Sequence, residues 1–248
     1  MTITGIIPAR YSSSRFPGKL LAQLEGKPIL QHVIEKCLLS KMLDDVIVAT
    51  DDPRIAEMAK AFCRVEMTHT DHQSGTDRIA EVTQRCNLDS IINIQGDEPM
   101  IEPDVIDQVA ALIDKNEMST AAAPIKLPEN WKSPNTVKVV INSSNKALYF
   151  SRYPIPFLRD YADSPITEQL KTFPYLKHIG IYGYQKDALI KLVNYPVSPL
   201  EKAEKLEQLR ALDNGISIVV AVVKHDSIGI DTPEDLEAAI AFAKKNDR

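Results

Sequence analysis

The stretch ITGIIPARYSSSRFPGK, residues 3–19, decides the fold. Ile3–Ile7 is a short, largely apolar run closed by a proline, the pattern of a strand buried on both faces. It empties directly into a loop carrying Arg10, Arg15 and Lys19, the serines Ser12–Ser14, and a Pro-Gly pair. Such a loop packs no core. In open parallel sheets, ligands bind beyond the carboxyl ends of the strands, and here the first such end carries three spaced cations. Arginine offers a planar fork to phosphate and lysine a point charge. Ser12–Ser14 and Gly18 let backbone N–H groups approach anionic oxygens. The competing reading is a solvated loop with ordinary surface cations. A P-loop is excluded, because Ser13 and Leu20 stand where GxxxxGK[ST] needs Gly and Ser/Thr. No GxGxxG fingerprint follows the strand, which argues against a nicotinamide dehydrogenase.

Outward from this stretch, strands and helices alternate. Apolar residues at helical spacing (Ile29, Leu30, Val33, Ile34, Cys37, Leu38) predict a helix over Pro28–Ser40. Val46–Thr50 is a strand, and Asp52 caps a helix that starts at Pro53. Ile91–Ile94 is a third strand and Val105–Ile113 the helix after it. The alternation predicts an α/β fold, a mostly parallel central sheet with helices on both faces. Past residue 124 the pattern loosens. Thr136–Ile141 and Leu148–Ser151 read as strands, and 153–175 as a long connection. His178–Tyr184 reads as a strand with His178, Gly180, Tyr182 and Tyr184 on one face. Leu200–Leu212 reads as one helix ended by Gly215, Ile216–Val223 as a strand and Pro233–Lys245 as the last helix. The simplest organisation is one α/β domain over 1–248 with an inserted subregion at about 130–185.

The 248 residues are 44% hydrophobic and 25% charged, enough to bury a core without disulfides. The net charge of -5 argues against a nucleic-acid binder. Cys37, Cys63 and Cys86 are odd in number and without CxxC spacing, as expected of thiols in a reducing compartment. No apolar run approaches the roughly 18 residues of a membrane span, and no leader precedes the first strand. The expectation is a cytoplasmic protein that engages no membrane.

Five further motifs carry chemistry. In IINIQGDEP, residues 91–99, Gln95, Gly96 and Asp97 lie where the strand ends. A carboxylate there suits Mg²⁺ that also takes phosphate oxygens, although Gly-Asp is equally a turn signal. In GIDTPEDLEAA, residues 229–239, Thr232, Pro233 and Asp235 form a helix start, which leaves Asp231 unexplained at the end of a strand. If that strand neighbours the one before Asp97, the two carboxylates hold one or two Mg²⁺ ions. DHQSGTDR, residues 71–78, is a polar turn with Thr76 as cap of the next helix. Ser74 and Gly75 offer backbone groups to a ligand, and His69 with His72 lacks the third ligand of a metal site. KHIGIYGY, 177–184, sets His178 and Tyr182 on one face. EKLEQLR, 204–210, sets Glu207 and Gln208 off a leucine stripe.

PARYxSxRxPGK, DHQSGT[DE]R, QGDEP, ALYFSR, HxGIYGY, LEQLR and GxDTPEDL occur in this order over residues 3–240. Together they resemble the 3-deoxy-manno-octulosonate cytidylyltransferase (CMP-Kdo synthetase) family. The last three segments are the most specific to it. The resemblance implies a Rossmann-like nucleotidyltransferase fold, a homodimer, and a step of lipopolysaccharide biosynthesis. CTP and 3-deoxy-D-manno-octulosonate give the CMP-sugar and pyrophosphate, with Mg²⁺. It implies that Arg10, Arg15 and Lys19 hold the triphosphate, with Ser13 beside them. Asp97 and Asp231 hold the metal, and Arg10, Lys19, Asp97 and Asp231 form the catalytic set. Backbone at Pro8, Ala9 and Arg10, and at Ser74 and Gly75, reads the cytosine, and Gln95 serves the nucleotide as well as the sugar. Gln95, His178, Tyr182, Glu207 and Gln208 surround the sugar, with Arg78 and Arg159 near its carboxylate or hydroxyls. The chain departs from the family at Leu20, where proline is usual, at KHDSIGID (224–231), which is shorter, and in the loop 160–175. The alternatives are the 8-amino-3,8-dideoxy sugar, an N-acylneuraminate or other sugar nucleotidyltransferase, and a non-catalytic nucleotide-binding protein of the same fold.

Overall fold

In the computed structural model, residues 2–13, 15–225 and 229–246 are described. The chain runs β1 (Ile3–Ala9), the hairpin strands β2 (Gln23–Leu24) and β3 (Lys27–Pro28), α1 (Ile29–Leu38), β4 (Asp45–Thr50), α2 (Pro53–Ala59), β5 (Arg64–Met67) and α3 (Gly75–Arg85). It continues through β6 (Ser90–Asn93), α4 (Pro103–Ile113), β7 (Met118–Pro124), α5 (Pro128–Lys132), β8 (Lys138–Ile141), β9 (Ala147–Ser151), α6 (Ile166–Thr172) and β10 (Leu176–Gln185). It closes with α7 (Lys186–Asn194), α8 (Pro199–Glu204), α9 (Gln208–Asp213), β11 (Ile218–Val222) and α10 (Pro233–Asn246).

The main sheet has the order β11-β7-β10-β6-β1-β4-β5. Every neighbouring pair on this path is parallel except the two made by β10, which is antiparallel to β6 and β7. Most buried apolar residues fall into two layers, one on each face. Leu30, Val33, Ile34, Ile55, Val105 and Val109 of α1, α2 and α4 pack on one face. Ile79, Val82, Leu189, Leu192 and Leu209 of α3, α7 and α9 pack on the other. The expected mostly parallel α/β fold with helices on both faces is the one observed.

Four sequence expectations shift. β7, MSTAAAP, is buried along most of its length but has a single β-branched residue, Thr120, and no aromatic one to announce a strand. α7 follows β10 with no intervening turn, so no punctuation marks it. The single helix expected over 200–212 is two. Lys205 takes a left-handed conformation (φ 54°) between α8 and α9. Ser198 and Glu201 form a capping box that starts α8. Arg210 donates Nε and Nη2 to Glu201 at 2.7 and 2.6 Å, fastening the two short helices. Finally, β10 lies at the centre of the sheet, so the subregion that stands off it ends before residue 176 rather than at 185. Its strands β8 and β9 pair with each other, and β8 joins the first residues of β10.

Gly183 lets β10 sit in the middle of the sheet, since a Cβ there would collide with Ser119 Oγ on β7. Ser119 is held in place by donating to the Val109 carbonyl at 2.9 Å. We expect Gly183→Ala to lower stability in urea unfolding by about 1–3 kcal/mol through overpacking. Adding Ser119→Ala, which removes the opposing oxygen, recovers part of that loss. Strictly additive effects would refute the contact.

Candidate active site

The carboxyl ends of β1, β4, β5 and β6 point the same way, and the chain leaving β1, β5 and β6 lines most of a cavity of about 270 Å³. All nine residues expected to hold the nucleotide border it: Pro8, Ala9, Arg10, Ser13, Arg15, Lys19, Ser74, Gly75 and Gln95. The cationic loop is folded back on itself. Gly18, at φ 72°, donates its N–H to the Tyr11 carbonyl at 2.9 Å, and a Cβ on it would press the Tyr11 ring at 3.0 Å. The guanidinium of Arg54 lies over the other part of this hinge, 3.4 Å from the Tyr11 ring centroid. Ser14 lies outside the described residues.

Asp97 and Asp231 both border this cavity and meet at Lys19. The Lys19 ammonium donates to Asp97 Oδ2 and, at 3.0 Å, to Asp231 Oδ1. Arg15 Nη2 reaches the same Asp231 oxygen at 3.0 Å. Burial by itself lowers the Lys19 pKa, but the two carboxylates outweigh it and hold it above its ordinary value. Asp231 does not arrive by the route expected. Its preceding strand, β11, is at the sheet edge, three strands from β6. The link is made outside the sheet, where Ile230 N–H donates to the Asp97 carbonyl at 2.8 Å. The capping box then fixes the segment: Asp235 Oδ2 accepts from the N–H groups of Asp231 (3.0 Å) and Thr232 (2.9 Å), and Asp235 N–H donates to Thr232 Oγ1 at 3.3 Å. Residues 226–228 of the shortened segment lie outside the described residues.

The cap of α3 is Ser74, not Thr76. Ser74 Oγ accepts from Asp77 N–H, and the Ser74 N–H donates to Asp77 Oδ2 at 3.0 Å. That amide is therefore committed to the helix rather than offered to a base. Gly75 packs on β1, and a Cβ on it would stand 3.2 Å from Pro8 Cγ. Thr76, released from capping, faces a second cavity of about 170 Å³. Tyr182, Tyr184, Glu207 and Gln208 border it, as does Asn93, and it shares Gly75 and Gln95 with the first. Burial raises the Glu207 carboxyl above its ordinary pKa, partly offset by a hydrogen bond from Thr76 and by nearby Arg210.

Three expected sugar residues sit elsewhere. Arg78 borders the first cavity, and its buried guanidinium is held by Thr68 Oγ1 and, at 3.1 Å, by Asp51 Oδ2. Arg159 is exposed in a short 3-10 turn (Arg159–Tyr161) and borders neither cavity. His178 is buried behind Tyr182, with ring centroids 5.3 Å apart, and also meets Phe150 edge-on at 5.1 Å. Thr120 Oγ1 gives its proton to the Ile181 carbonyl at 2.7 Å, so it accepts from His178 Nε2 at 3.0 Å. Asn93 and Leu192 border the second cavity without having been singled out in the sequence; Tyr184, placed on the face of its strand, and His72, set aside as a metal ligand, border the cavities too, and His72 Nε2 is 2.6 Å from Glu81. Asn93 had a signal, a lone amide inside the apolar run Ile91–Ile94.

A family model described as cytidylyltransferase matches residues 4–218. The chain belongs to the cytidylyltransferase family. Among cytidylyltransferases, it is 48% identical to a 3-deoxy-manno-octulosonate cytidylyltransferase of Geobacter sulfurreducens, over 98% of this chain and 100% of the relative. It is 50% identical to one of Solibacter usitatus, over 95% and 92%. The solved structure of a CMP:2-keto-3-deoxy-manno-octonic acid synthetase complexed with CTP superposes with a TM-score of 0.91 at 41% identity, covering 99% of this chain and 100% of that one. A cytidylyltransferase from Leptospira borgpetersenii, 19% identical with a TM-score of 0.61, shares the fold.

Burial lowers the His178 pKa to about 3. A histidine in the unfolded chain titrates near its ordinary 6.5. Between these values the unfolded state binds the extra proton, so stability falls as pH drops, by up to about 1.4 kcal/mol per pH unit. His178→Gln lacks that proton uptake. We expect the urea stability of the parent protein to decline relative to the variant by about 2 kcal/mol from pH 6 to 4.5. A difference that does not change with pH would refute the neutral, buried imidazole.

Proposed function

We infer that the protein is a nucleotidyltransferase that joins CTP and 3-deoxy-D-manno-octulosonate into the CMP-sugar and releases pyrophosphate. One observation carries this reading: a cationic cavity and an amide-, hydroxyl- and carboxyl-lined cavity adjoin, with Gln95 and Gly75 common to both. A polyanion and a polyhydroxy acid fit this pair, with the reacting atoms where the cavities join.

In this reading Arg10, Arg15 and Lys19 bind the triphosphate, and Lys19 exchanges carboxylate for phosphate partners when the nucleotide arrives. Tyr182, Glu207, Gln208 and Gln95 hold the sugar with its anomeric hydroxyl towards the α-phosphorus. His178 braces Tyr182 from behind. The hydroxyl oxygen forms the new bond to phosphorus as the bond to the β-phosphate oxygen breaks. Catalysis is then positioning together with neutralisation of the charge that develops on the leaving pyrophosphate. Arg78, tied to Asp51, holds the start of α3 against the nucleotide rather than touching the sugar.

Asp97 and Asp231 would hold Mg²⁺. The fit rests on donor chemistry: two carboxylates converge on one cation, the Lys19 ammonium, and oxygen ligands completed by water and phosphate suit this metal. When bound, Mg²⁺ polarises the α-phosphate and lowers the pKa of the attacking hydroxyl. Among the described residues no third His, Cys, Asp or Glu joins the pair.

We further propose a cytoplasmic homodimer serving lipopolysaccharide synthesis. The three cysteines are free, and no described helix is long and apolar enough to cross a membrane. The segment after β9 exposes Tyr153 by 78% and Phe157 by 77%, an apolar patch of the kind that marks association.

The direct test is pyrophosphate release with Mg²⁺, CTP and the octulosonate, run beside the 8-amino sugar and N-acetylneuraminate. Release with the octulosonate alone is expected. Release only with another sugar would move the substrate and keep the mechanism. Asp97→Asn should keep the fold by circular dichroism and lose at least about a hundredfold in turnover, because the amide supplies no anionic ligand. A rate near the parent's would defeat the metal assignment. Sedimentation should give twice the 27.6 kDa chain mass, and the Tyr153→Asp/Phe157→Asp pair should give monomer. A parent protein that sediments as monomer would remove the patch as an interface.

A further inference from the structure

Asn93 closes β6 at the centre of the sheet, opposite Ile6 of β1 and Tyr182 of β10. Ile92 and Ile94 belong to the apolar layer on the α4 face, and Ile91 to the layer on the α3 face. Asn93 therefore shares the α3 face with Ile91, by the twofold alternation of a strand. It is only 2% exposed, and its Oδ1 has no hydrogen-bond partner among the described residues. An amide is an expensive choice there. A buried carbonyl left unserved costs on the order of a hydrogen bond, and an aliphatic side chain of the same size would cost nothing. Of the buried polar atoms without partners, Asn93 Oδ1 is the one whose residue borders a described cavity, and the cavity is the second one.

A partner for it is within reach of whatever fills that cavity. Its neighbours narrow the chemistry. The Thr76 hydroxyl is engaged with Glu207 and Tyr184, and Gln95 stands two residues on, at the junction with the first cavity. An acceptor oxygen set among amides, hydroxyls and a carboxyl asks for a donor hydroxyl. We propose that Asn93 is a specificity-determining residue of the sugar site, its Oδ1 accepting a hydrogen bond from a hydroxyl of the polyhydroxy acid. The proposal rests on the octulosonate as acceptor substrate. It adds that substrates without a hydroxyl at that point leave a buried carbonyl unpaired and are rejected for that reason.

The test is Asn93→Leu, which keeps the side-chain size and removes the acceptor. Thermal unfolding, the KM for CTP and the KM for the octulosonate are measured on parent and variant. We expect a melting temperature equal to or above the parent's, a CTP KM within twofold, and a sugar KM raised about tenfold. Singly deoxygenated sugars complete it: one analogue is discriminated against by the parent and not by the variant. A structural amide would give the opposite pattern, a lower melting temperature with an unchanged sugar KM. That result, or equal losses for CTP and sugar, overturns the proposal. If the leucine variant does not fold, Asn93→Thr keeps an acceptor on a strand-compatible side chain, and an unchanged sugar discrimination there with Asn93→Ala alike would overturn it too. A parent protein that leaves the octulosonate unreacted sinks the substrate reading itself, before any variant is compared.

Discussion

The site depends on one interaction, the Lys19 ammonium held between Asp97 and Asp231. It ties the loop after β1 to the turn after β6 and to the segment that starts α10. A small apolar cluster of Leu24, Ile29, Ile230 and Ala239 lies beside it, with Met100 packed against the cluster. With Arg15 added, two cations face two carboxylates, so the cluster is balanced without a ligand. Removing either carboxylate takes a partner from the Lys19 ammonium, the least exposed member of the set. A triphosphate would bring new negative charge to the same spot, and Arg10, which also borders the cavity, supplies a further cation to meet it. The same geometry thus holds the loops together and gathers the cations that the proposed nucleotide needs.

The second constraint is the reversed strand. β10 runs antiparallel between β6 and β7, and this places Tyr182 opposite Asn93 and Thr120. Glycine at 183 makes the close approach to β7 sterically allowed. From the other side, the left-handed Lys205 turns the chain between α8 and α9, and Glu207 and Gln208 come to the second cavity from a helix start rather than a helix middle. A sheet end, a reversed strand and a short helix start therefore meet around one polar space. His178 contributes through its position behind Tyr182, as a neutral ring.

Much of this was legible in the residues. The first strand and its cationic loop, the Asp52 cap and the Thr232–Asp235 capping box are local features, set by neighbours within a few positions, and the structure contains each of them. That the nine residues expected at the nucleotide would border one cavity was also legible, because most leave the ends of parallel strands and such ends converge in this fold. Arg78, Arg159 and His178, set at the sugar by the resemblance, do not border the second cavity, because a motif does not say whether a side chain faces a cavity, solvent or a second layer of the core.

The sequence by itself determined the α/β class, the family and the identity of the charged residues, since alternation, caps and ordered motifs are written along the chain. Tertiary structure alone decided how Asp231 reaches Asp97, which of two cavities each residue borders, and that Asn93 lies buried beside one of them. These depend on contacts between segments distant in sequence. Asp231 comes to Asp97 through the Ile230 backbone rather than across a sheet. No local pattern encodes such a meeting; it exists only once the whole sheet has brought its strand ends together.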